Sequence, residues 1–355
     1  MAKKSVTYWD GIVQESNNGV NLWVGVDVHK KSYSVAVLSD NGIWHCFTTP
    51  ADNQGLIRQF QERDINVSGL VYEAGLTGFG LCRDCHKAGI DAMVVAAVRI
   101  PRPVGKTAKT DKIDCMKLAE YLAKGLLKPI YVPTEEQEAR RAKVRRRSQM
   151  TSEIARLKTR IKSFLTVHGL PEPQGLTVWS RAAVRDLSDM PMNMDLRYVL
   201  DSYLRELEFL TSEKSLLEKE LKENFLPKTD VLQSVPGVGP ITSAAFRAEV
   251  IEAGRFQSAD KLSGFLGLAP VISQSGASSG TARLVPSGQG QLRSKLVEAA
   301  LILKTKEVWA RNFYNRVLYH SGKTQKAIIA LARKLAIILW RLLLEDRPYQ
   351  AAYSS

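Results

Sequence analysis

The sequence predicts an α/β domain of the RNase H or actin-like ATPase kind, followed by a charged helical segment and a mostly α-helical C-terminal region. Three observations support this prediction. β-Branched runs separated by turns dominate the first part of the chain, helical periodicity replaces them after residue 133, and a Ser/Gly-rich stretch lies near residue 280. A chain of 355 residues with 45% hydrophobic content can bury two or three cores. We expect domains at 20–131, 132–228 and 229–350.

The first domain is predicted from the order of its strands and helices. The run "LWVGVDVHKKSYSVAVLSDNGIWHCFT" indicates a three-stranded antiparallel meander, and "VSGLVYEAG" indicates a buried strand that ends in a carboxylate. A helix, a further strand and a last helix follow, and with a helix between the meander and the fourth strand the expected order is β-β-β-α-β-α-β-α. The predicted ranges are 22–48 for the meander, 67–75, 77–88, 91–97 and 111–126.

The charge of the chain favours a polyanionic partner. There are 50 Lys+Arg against 36 Asp+Glu, a formal net charge of +14. Nucleic acid is therefore the first partner to consider, and an acidic membrane surface is the weaker alternative. The N-terminus has no apolar segment typical of a secretory signal, and charges interrupt the apolar run 327–344 at helical spacing. We expect no membrane association and a cytoplasmic, nucleoid-associated protein.

Cysteine usage argues against a disulfide framework, because the four cysteines all lie in the first third of the chain. The segment "CRDCH" (82–86) matches a haem-attachment pattern. However, it lies in a helix-like stretch, and no second cysteine pair follows that could complete a zinc site. We predict two cysteines in a partly buried helical turn.

The second segment begins with an unusually basic helix. Residues 139–162 hold ten Lys/Arg against one acid, Glu153. Apolar positions at spacings of three and four, here and in 203–226, indicate an antiparallel helical hairpin or short coiled coil. Because so dense a cluster would repel itself unless a phosphate backbone neutralised it, we predict nucleic-acid contacts rather than a merely solvated face. The predicted contacts are Arg140, Arg141, Lys143, Arg145, Arg146 and Arg147.

Two glycines in "LQSVPGVGPITSAA" indicate a helix-hairpin-helix element. Gly237 and Gly239 precede an Ala-rich helix, whose N-terminal N–H groups can bind a phosphate without reading the base. The same pattern also fits a plain helix–helix turn. The net charge of the chain favours the nucleic-acid interpretation.

Four carboxylates lie where three predicted elements could bring them together. Asp27 interrupts an apolar strand, where an unpaired buried charge would cost several kcal/mol. Glu73 ends the fourth strand, and Asp111 and Asp114 lie in the first turn of a helix. Such a cluster is suited to Mg²⁺ and phosphoryl chemistry. An alternative interpretation is that Asp111 and Asp114 are ordinary surface acids at a helix N-terminus.

Six segments in order resemble the insertion-sequence transposases of the IS110 family, including the subgroup related to the Piv invertase. They are "VGVDVHKKSYSVAVL", "VYEAG", "KTDKIDCMKLAEYL", "LQSVPGVGPITSAA", "LSGFLGLAPVISQSG" and "GQGQLRSKLVEAA", and the resemblance covers residues 22–346. It implies a RuvC-like domain whose Asp-Glu-Asp-Asp metal site corresponds to Asp27, Glu73, Asp111 and Asp114. It also implies a coiled coil and a C-terminal domain with a catalytic serine.

The resemblance gives the Ser/Gly-rich stretch a function. It places the nucleophile at Ser275, in "VISQSG", and implies a covalent phosphoserine intermediate; Ser273, Ser278 and Ser279 stay open as alternatives. Family members are similar in acting as oligomers, so we expect a dimer or tetramer, with donor DNA, target DNA and a structured noncoding bridge RNA as partners. Arg283 and Arg293, beyond the stretch, are candidate phosphate contacts.

Three other functions remain as alternatives at this stage. A metal-dependent, structure-specific nuclease of the Holliday-junction resolvase type would use the carboxylates without a serine. An actin-like ATPase or sugar kinase would need a second glycine-rich phosphate loop, which the sequence lacks. A purely structural nucleic-acid-binding function would not explain why the charged residue Asp27 lies in an apolar strand.

Overall fold

A computed structural model describes residues 3–101, 111–271, 283–284 and 289–351. The chain forms two compact units, residues 1–134 and 135–355. The first is a mixed α/β unit and the second is largely helical, as the sequence predicts.

The first unit is built on a five-stranded sheet with the strand order β3-β2-β1-β4-β5. The first three strands form an antiparallel meander, in which Asp27 pairs with Ser34, whereas β4 and β5 run parallel to β1. The predicted order of strands and helices is therefore found within 22–123. The elements are α1 (Lys3–Asn17), β1 (Leu22–Val28), β2 (Ser32–Ser39), β3 (Trp44–Pro50), α2 (Asn53–Gln61), β4 (Gly69–Glu73), α3 (Gly80–Lys87), β5 (Ala92–Val95) and α4 (Asp111–Ala123).

Helix α1 is an element that the sequence analysis did not predict. Ile12 is fully buried, and the Trp9 ring contacts Phe47 and Phe60 at centroid distances of 4.9 and 5.9 Å. Together with α2 and α3, α1 covers one face of the sheet. The first unit therefore begins with an aromatic helix that belongs to its core.

The cysteines of "CRDCH" belong to the same core. Cys82 and Cys85 are fully buried in α3, and burial raises the pKa of their thiols to about 11 and about 12. His86 approaches the carbonyl O of Ala92 through Nε2 at 2.7 Å. The four cysteines of the chain are free thiols, and the two in α3 act as core side chains, as predicted.

The second unit has two hydrophobic clusters. Residues of α5, α6 and α7 form one, and the helices from α8 onward form the other. Contacts between Arg147 and Glu218 and between Phe164 and Tyr203 place α5 and α7 antiparallel. The helices are α5 (Glu135–Val167), α6 (Arg181–Asp189), α7 (Met194–Glu220), α8 (Pro240–Val250), α9 (Ala259–Leu266), α10 (Gly290–Lys306), α11 (Val308–Ser321) and α12 (Thr324–Glu345), with β6 (Pro270–Val271) and β7 (Arg283–Leu284) between α9 and α10.

The apolar helix α12 lies in the core of the second cluster. Leu331, Leu335 and Leu339 are fully buried. The Arg333 guanidinium binds the Asp260 carboxylate, and the Lys334 ammonium lies 5.0 Å from the centre of the Trp309 ring. In the part of the chain that the structure describes, no helix is long and apolar enough to cross a membrane. Helix α12 is thus the packed amphipathic helix that its charges predict.

Candidate metal centre and strand-transfer site

Two of the predicted carboxylates lie at the carboxyl ends of neighbouring parallel strands. Val26 and Tyr72 are the last residues through which β1 and β4 pair with each other, and Asp27 and Glu73 follow them directly. Asp27 is therefore next to the end of its strand rather than in its middle, and its side chain is 25% exposed. Glu73 is exposed. Since parallel strands end at one edge, these two acids share a solvent-accessible edge of the sheet.

Alternation along the strands fixes the face on which these acids lie. Val26 and Tyr72 are buried in the cluster beneath α1, α2 and α3. Val71 instead packs with Leu118 and Leu122 of α4. Because successive side chains of a strand point to opposite faces, Asp27 and Glu73 lie on the α4 face.

A glycine allows α4 to approach this face closely. A Cβ atom on Gly25 would overlap the carbonyl O of Cys115 and lie 2.6 Å from the backbone N of Ala119. Real Cβ atoms do not come so close, so only glycine is compatible with this packing. The backbone of β1 is therefore in direct contact with the backbone of α4, two residues before Asp27.

The remaining two predicted acids belong to α4. Asp111 is the first residue of the helix, and Asp114 is half-buried one turn before the buried Leu118. The Asp27 carboxylate lies near enough to the Cys115 thiol to contribute to its raised pKa of about 12, after burial and the Cys46 thiol. The fold therefore brings the first turn of α4, which holds both acids, to the strand end that holds Asp27.

The described side chains do not yet form a closed ligand set. The side chain of Asp111 is not among those that the structure describes. Among the described side chains, no three carboxylate, imidazole or thiol groups lie close enough together to hold a metal ion. The Asp27 carboxylate is 3.1 Å from Nε2 of His29. Carboxylate oxygens at an accessible strand edge nevertheless fit a hard divalent cation such as Mg²⁺, and Asp27, Glu73, Asp111 and Asp114 are the residues that would hold it.

The predicted nucleophile lies outside the described residues, as do the alternatives Ser273, Ser278 and Ser279. The segment that contains Ser275 is bounded by β6 and β7, which pair antiparallel with Pro270 opposite Leu284. Arg283 lies in β7. Arg293 donates a hydrogen bond from its guanidinium to the carbonyl O of Gly267, 3.2 Å away at the end of α9. This hydrogen bond therefore joins the first turn of α10 to the C-terminal end of α9.

The basic helix has intramolecular partners that the sequence analysis did not foresee. The Arg145 guanidinium makes two hydrogen bonds of 2.8 and 3.0 Å to the Glu249 carboxylate of α8. Arg147 and Lys143 bind Glu218 and Glu220 of α7 at 2.6 and 2.7 Å. The remaining pairs are Arg140 with Glu136, Arg141 with Glu249, and Arg146 with Glu153.

These contacts correct the argument from self-repulsion. Each of the six cations has a carboxylate within 4.0 Å, with Glu249 shared by Arg141 and Arg145, so ion pairs within the chain offset most of the charge of this stretch without a phosphate backbone. Burial alone would raise the pKa of Glu218, but hydrogen bonds from Arg147 and Lys214 bring this pKa below its usual value. The six nucleic-acid contacts stay a prediction, and any phosphate must compete with existing ion pairs.

The two predicted phosphate-binding glycines have different environments. Gly237 has a φ of +91°, and a Cβ there would lie 2.5 Å from the carbonyl O of Ala299 in α10. Gly239 caps α8 with a φ of −88°, and a Cβ would have no atom within 4 Å. Gly237 is therefore required by the packing of α10, whereas Gly239 is free of that constraint.

We expect Gly237→Ala to lower the free energy of unfolding by about 2 kcal/mol or more, because it combines a left-handed backbone with a backbone overlap. Gly239→Ala should change it by less than about 1 kcal/mol. Urea unfolding of both variants measures this difference. Equal stabilities would show that the turn does not pack as described. With its fold intact, Gly239→Ala also serves to test whether this turn binds DNA.

A buried carboxylate before α8 organises the same region. The side chain of Asp230 is 1% exposed and accepts hydrogen bonds from the Arg247 guanidinium at 2.8 Å, from the Ser243 hydroxyl and from the Gln233 amide. Burial would raise the pKa of Asp230, but these hydrogen bonds outweigh it and the pKa is lowered. This network could not be predicted from the sequence, because Asp230 and Arg247 lie in different elements.

The lowered pKa predicts how stability depends on pH. An unfolded aspartate has a pKa of about 3.9, so the contribution of Asp230 is fully present above that value and is lost as the pH falls through the lower folded value. We expect Asp230→Ala to cost about 3 kcal/mol at pH 7 and clearly less near pH 3. Urea unfolding of both proteins at the two pH values measures this. A pH-independent difference would contradict the assigned ionisation of Asp230.

Two segments of the chain match families of known proteins. Residues 24–169 match the family described as Transposase, of the DEDD type of IS110, and residues 229–315 match the family described as Transposase IS116/IS110/IS902. The protein y4qE of Sinorhizobium fredii, which carries the name of a transposase, is 27% identical over 92% of this chain and 89% of its own. The pilin gene-inverting protein of Moraxella lacunata is 26% identical over 92% and 97% of the two chains. The transposase for insertion sequence element IS1533 of Leptospira borgpetersenii is 26% identical over 66% and 72%.

Proposed function

Since this chain belongs to the insertion-sequence transposases of the IS116/IS110/IS902 family, we propose that it recombines DNA through a divalent-metal site and a phosphoserine intermediate. The metal site consists of Asp27, Glu73, Asp111 and Asp114, and the nucleophile is Ser275. The observation that carries the proposal is the position of Asp27 and Glu73, which share the strand edge to which α4 brings its first turn.

The serine and the carboxylates have different parts in the proposed reaction. The Oγ atom of Ser275 attacks the phosphorus of the scissile phosphodiester, and the bond from phosphorus to the leaving sugar oxygen breaks. The serine loses its hydroxyl proton, and the leaving oxygen gains one. Mg²⁺, when bound, stabilises the negative charge that develops on the phosphate oxygens. The four carboxylates hold the cation and compensate its charge.

The phosphoserine also explains how strands are joined without ATP. A hydroxyl of the incoming strand attacks the phosphoserine, the bond from phosphorus to Oγ breaks, and Ser275 regains its proton. One phosphodiester is thus exchanged for another, and the free energy of the bond is conserved. A nuclease without a serine would instead transfer the phosphate to water and lose that free energy.

The proposal includes partners as well as chemistry. The net charge of +14 suits two DNA substrates and a structured noncoding guide RNA that pairs with donor and target. We further propose a dimer or tetramer that acts in the cytoplasm on the nucleoid. We also propose that helices α5 and α7 form the coiled-coil segment and that the turn before α8 is a helix-hairpin-helix element.

Strand exchange with purified components tests the proposal. Protein, labelled donor DNA, target DNA and the RNA that flanks the element are incubated with Mg²⁺ or with EDTA, and in parallel after ribonuclease treatment. We expect joined products only with Mg²⁺ and intact RNA. Hydrolysed ends without joined product would favour the nuclease alternative, and exchange in EDTA would refute the metal site. Exchange after ribonuclease treatment would refute the guide RNA alone.

A further inference from the structure

We propose that a cavity between α5, α6 and α7 binds an unpaired nucleotide of a single-stranded nucleic acid. The cavity has a volume of about 790 Å³, within the range of sites that enclose small organic ligands. Its lining includes one aromatic ring, three cationic side chains and two carboxylates, besides apolar and hydroxyl-bearing side chains. The residues that carry the argument are Trp179, Lys158, Arg181, Arg205, Asp201 and Glu208.

Trp179 supplies a ring at the wall of the cavity. Its backbone has a φ of +55°, in the left-handed region that favours glycine, and its N–H donates to the carbonyl O of Leu176 at 3.2 Å. A bulky residue is strained in this conformation, and such strain is commonest at functional sites. The ring also packs in part against the hydrophobic cluster of α5–α7. Packing alone does not require an indole at a position where glycine would be relaxed.

Two of the three cations near this ring, Arg181 and Arg205, are available to an anion. The Lys158 ammonium lies 5.0 Å from the centre of the Trp179 ring. Among the described residues, neither Arg181 nor Arg205 has a carboxylate within 4.0 Å, and both side chains belong to exposed residues. Of the two acids, Asp201 already accepts from Arg197 at 3.1 Å. The cavity therefore has an excess of positive charge that is not paired within the described chain, whereas each cation of α5 between residues 140 and 147 has a carboxylate partner.

This combination is suited to an unpaired base with its phosphate. A base can stack on an aromatic face, its amino groups can donate to a carboxylate such as Glu208, and the phosphate can bind the arginines. The bases of a duplex are stacked inside the helix and cannot enter a concave site. The cavity therefore selects a looped-out or single-stranded nucleotide, whether from RNA or from DNA.

Fluorescence of 2-aminopurine tests stacking directly, because this base loses fluorescence when it stacks. Short single-stranded RNA and DNA oligonucleotides with one 2-aminopurine, and a duplex of the same sequence, are titrated into the full-length protein in EDTA. We expect the wild-type protein to quench the fluorescence of both single strands. This quenching should be lost in Trp179→Leu and kept in Trp179→Phe. Quenching by only one of the two strands would identify its source as RNA or DNA.

Affinity variants test the charges with a matched control. Arg205→Ala should weaken single-strand binding on the order of tenfold, with duplex binding unchanged. Arg185→Ala removes the same charge from an exposed position on α6 that does not line the cavity, and should have little effect. The proposal would be overturned if Arg185→Ala lost as much single-strand affinity as Arg205→Ala, or if Arg205→Ala lost as much affinity for the duplex. Fluorescence quenching that persists in Trp179→Leu would also overturn it. Because EDTA prevents metal-dependent cleavage, failure here leaves the proposed strand-transfer site untouched.

Discussion

Asp27→Asn is expected to lower DNA strand cleavage by roughly a thousandfold, equivalent to about 4 kcal/mol of activation free energy. The asparagine keeps the shape of the side chain but removes the charge that would balance a divalent cation at the strand edge. Cleavage of end-labelled donor DNA in Mg²⁺ measures the effect. Thermal unfolding of the same variant is the control for its fold; the pair between Asp27 and the half-exposed His29 contributes about 1 kcal/mol or less to stability.

Asp91→Asn provides the matched control. Asp91 directly precedes β5 and is exposed. It lies at the amino ends of the parallel strands, whereas Asp27 lies at their carboxyl ends. The same change of charge there should leave cleavage within about twofold of the wild type. Wild-type cleavage by Asp27→Asn would refute the metal site. An equal loss in both variants would mean that net charge, rather than the strand edge, limits the reaction.

Ser275→Ala is expected to eliminate the denaturant-resistant protein–DNA adduct and to reduce strand joining by about 10³-fold or more. The reason is that alanine has no oxygen with which to attack the phosphorus. Incubation with labelled donor DNA, followed by denaturing electrophoresis, measures the adduct. Metal and DNA binding should persist, because the carboxylates are unchanged.

The neighbouring serines decide whether the assignment is specific. Ser273→Ala, Ser278→Ala and Ser279→Ala should each retain the adduct, since each keeps the hydroxyl of Ser275. If the adduct disappears in one of these variants and persists in Ser275→Ala, the nucleophile is that other serine. Cleavage without adduct in wild type and variants alike would support the nuclease alternative.

The strand order of the first unit could be predicted because its strands carry the signal locally. β-Branched alternation and short turns define β1, β2 and β3, and each strand needs only its neighbours to be recognised. Helix α1 was missed because its burial depends on rings far away in sequence, Phe47 and Phe60. An isolated short helix has little stability of its own, so its pattern alone predicts little.

The strand positions of the candidate carboxylates could be predicted, but the ion pairs of the basic helix could not. Asp27 and Glu73 could be placed near strand ends because the apolar pattern of each strand is local in the sequence. The partners of the basic helix could not be identified, since Glu218 and Glu249 lie 71 and 104 residues from Arg147 and Arg145. Pairing over such separations is set by the packing of α5 against α7 and α8, which a charge count cannot reveal. The serine was assigned by resemblance alone.

The contact at Gly25 has a consequence for how such proteins can diverge. Because β1 and α4 meet through their backbones, the distance between the strand end and the helix start does not depend on which apolar side chains fill the rest of the interior. Core residues can therefore drift over generations while the spacing of the acids stays the same. Gly25 itself is excluded from such change, because a Cβ atom at this position would overlap the backbone of α4.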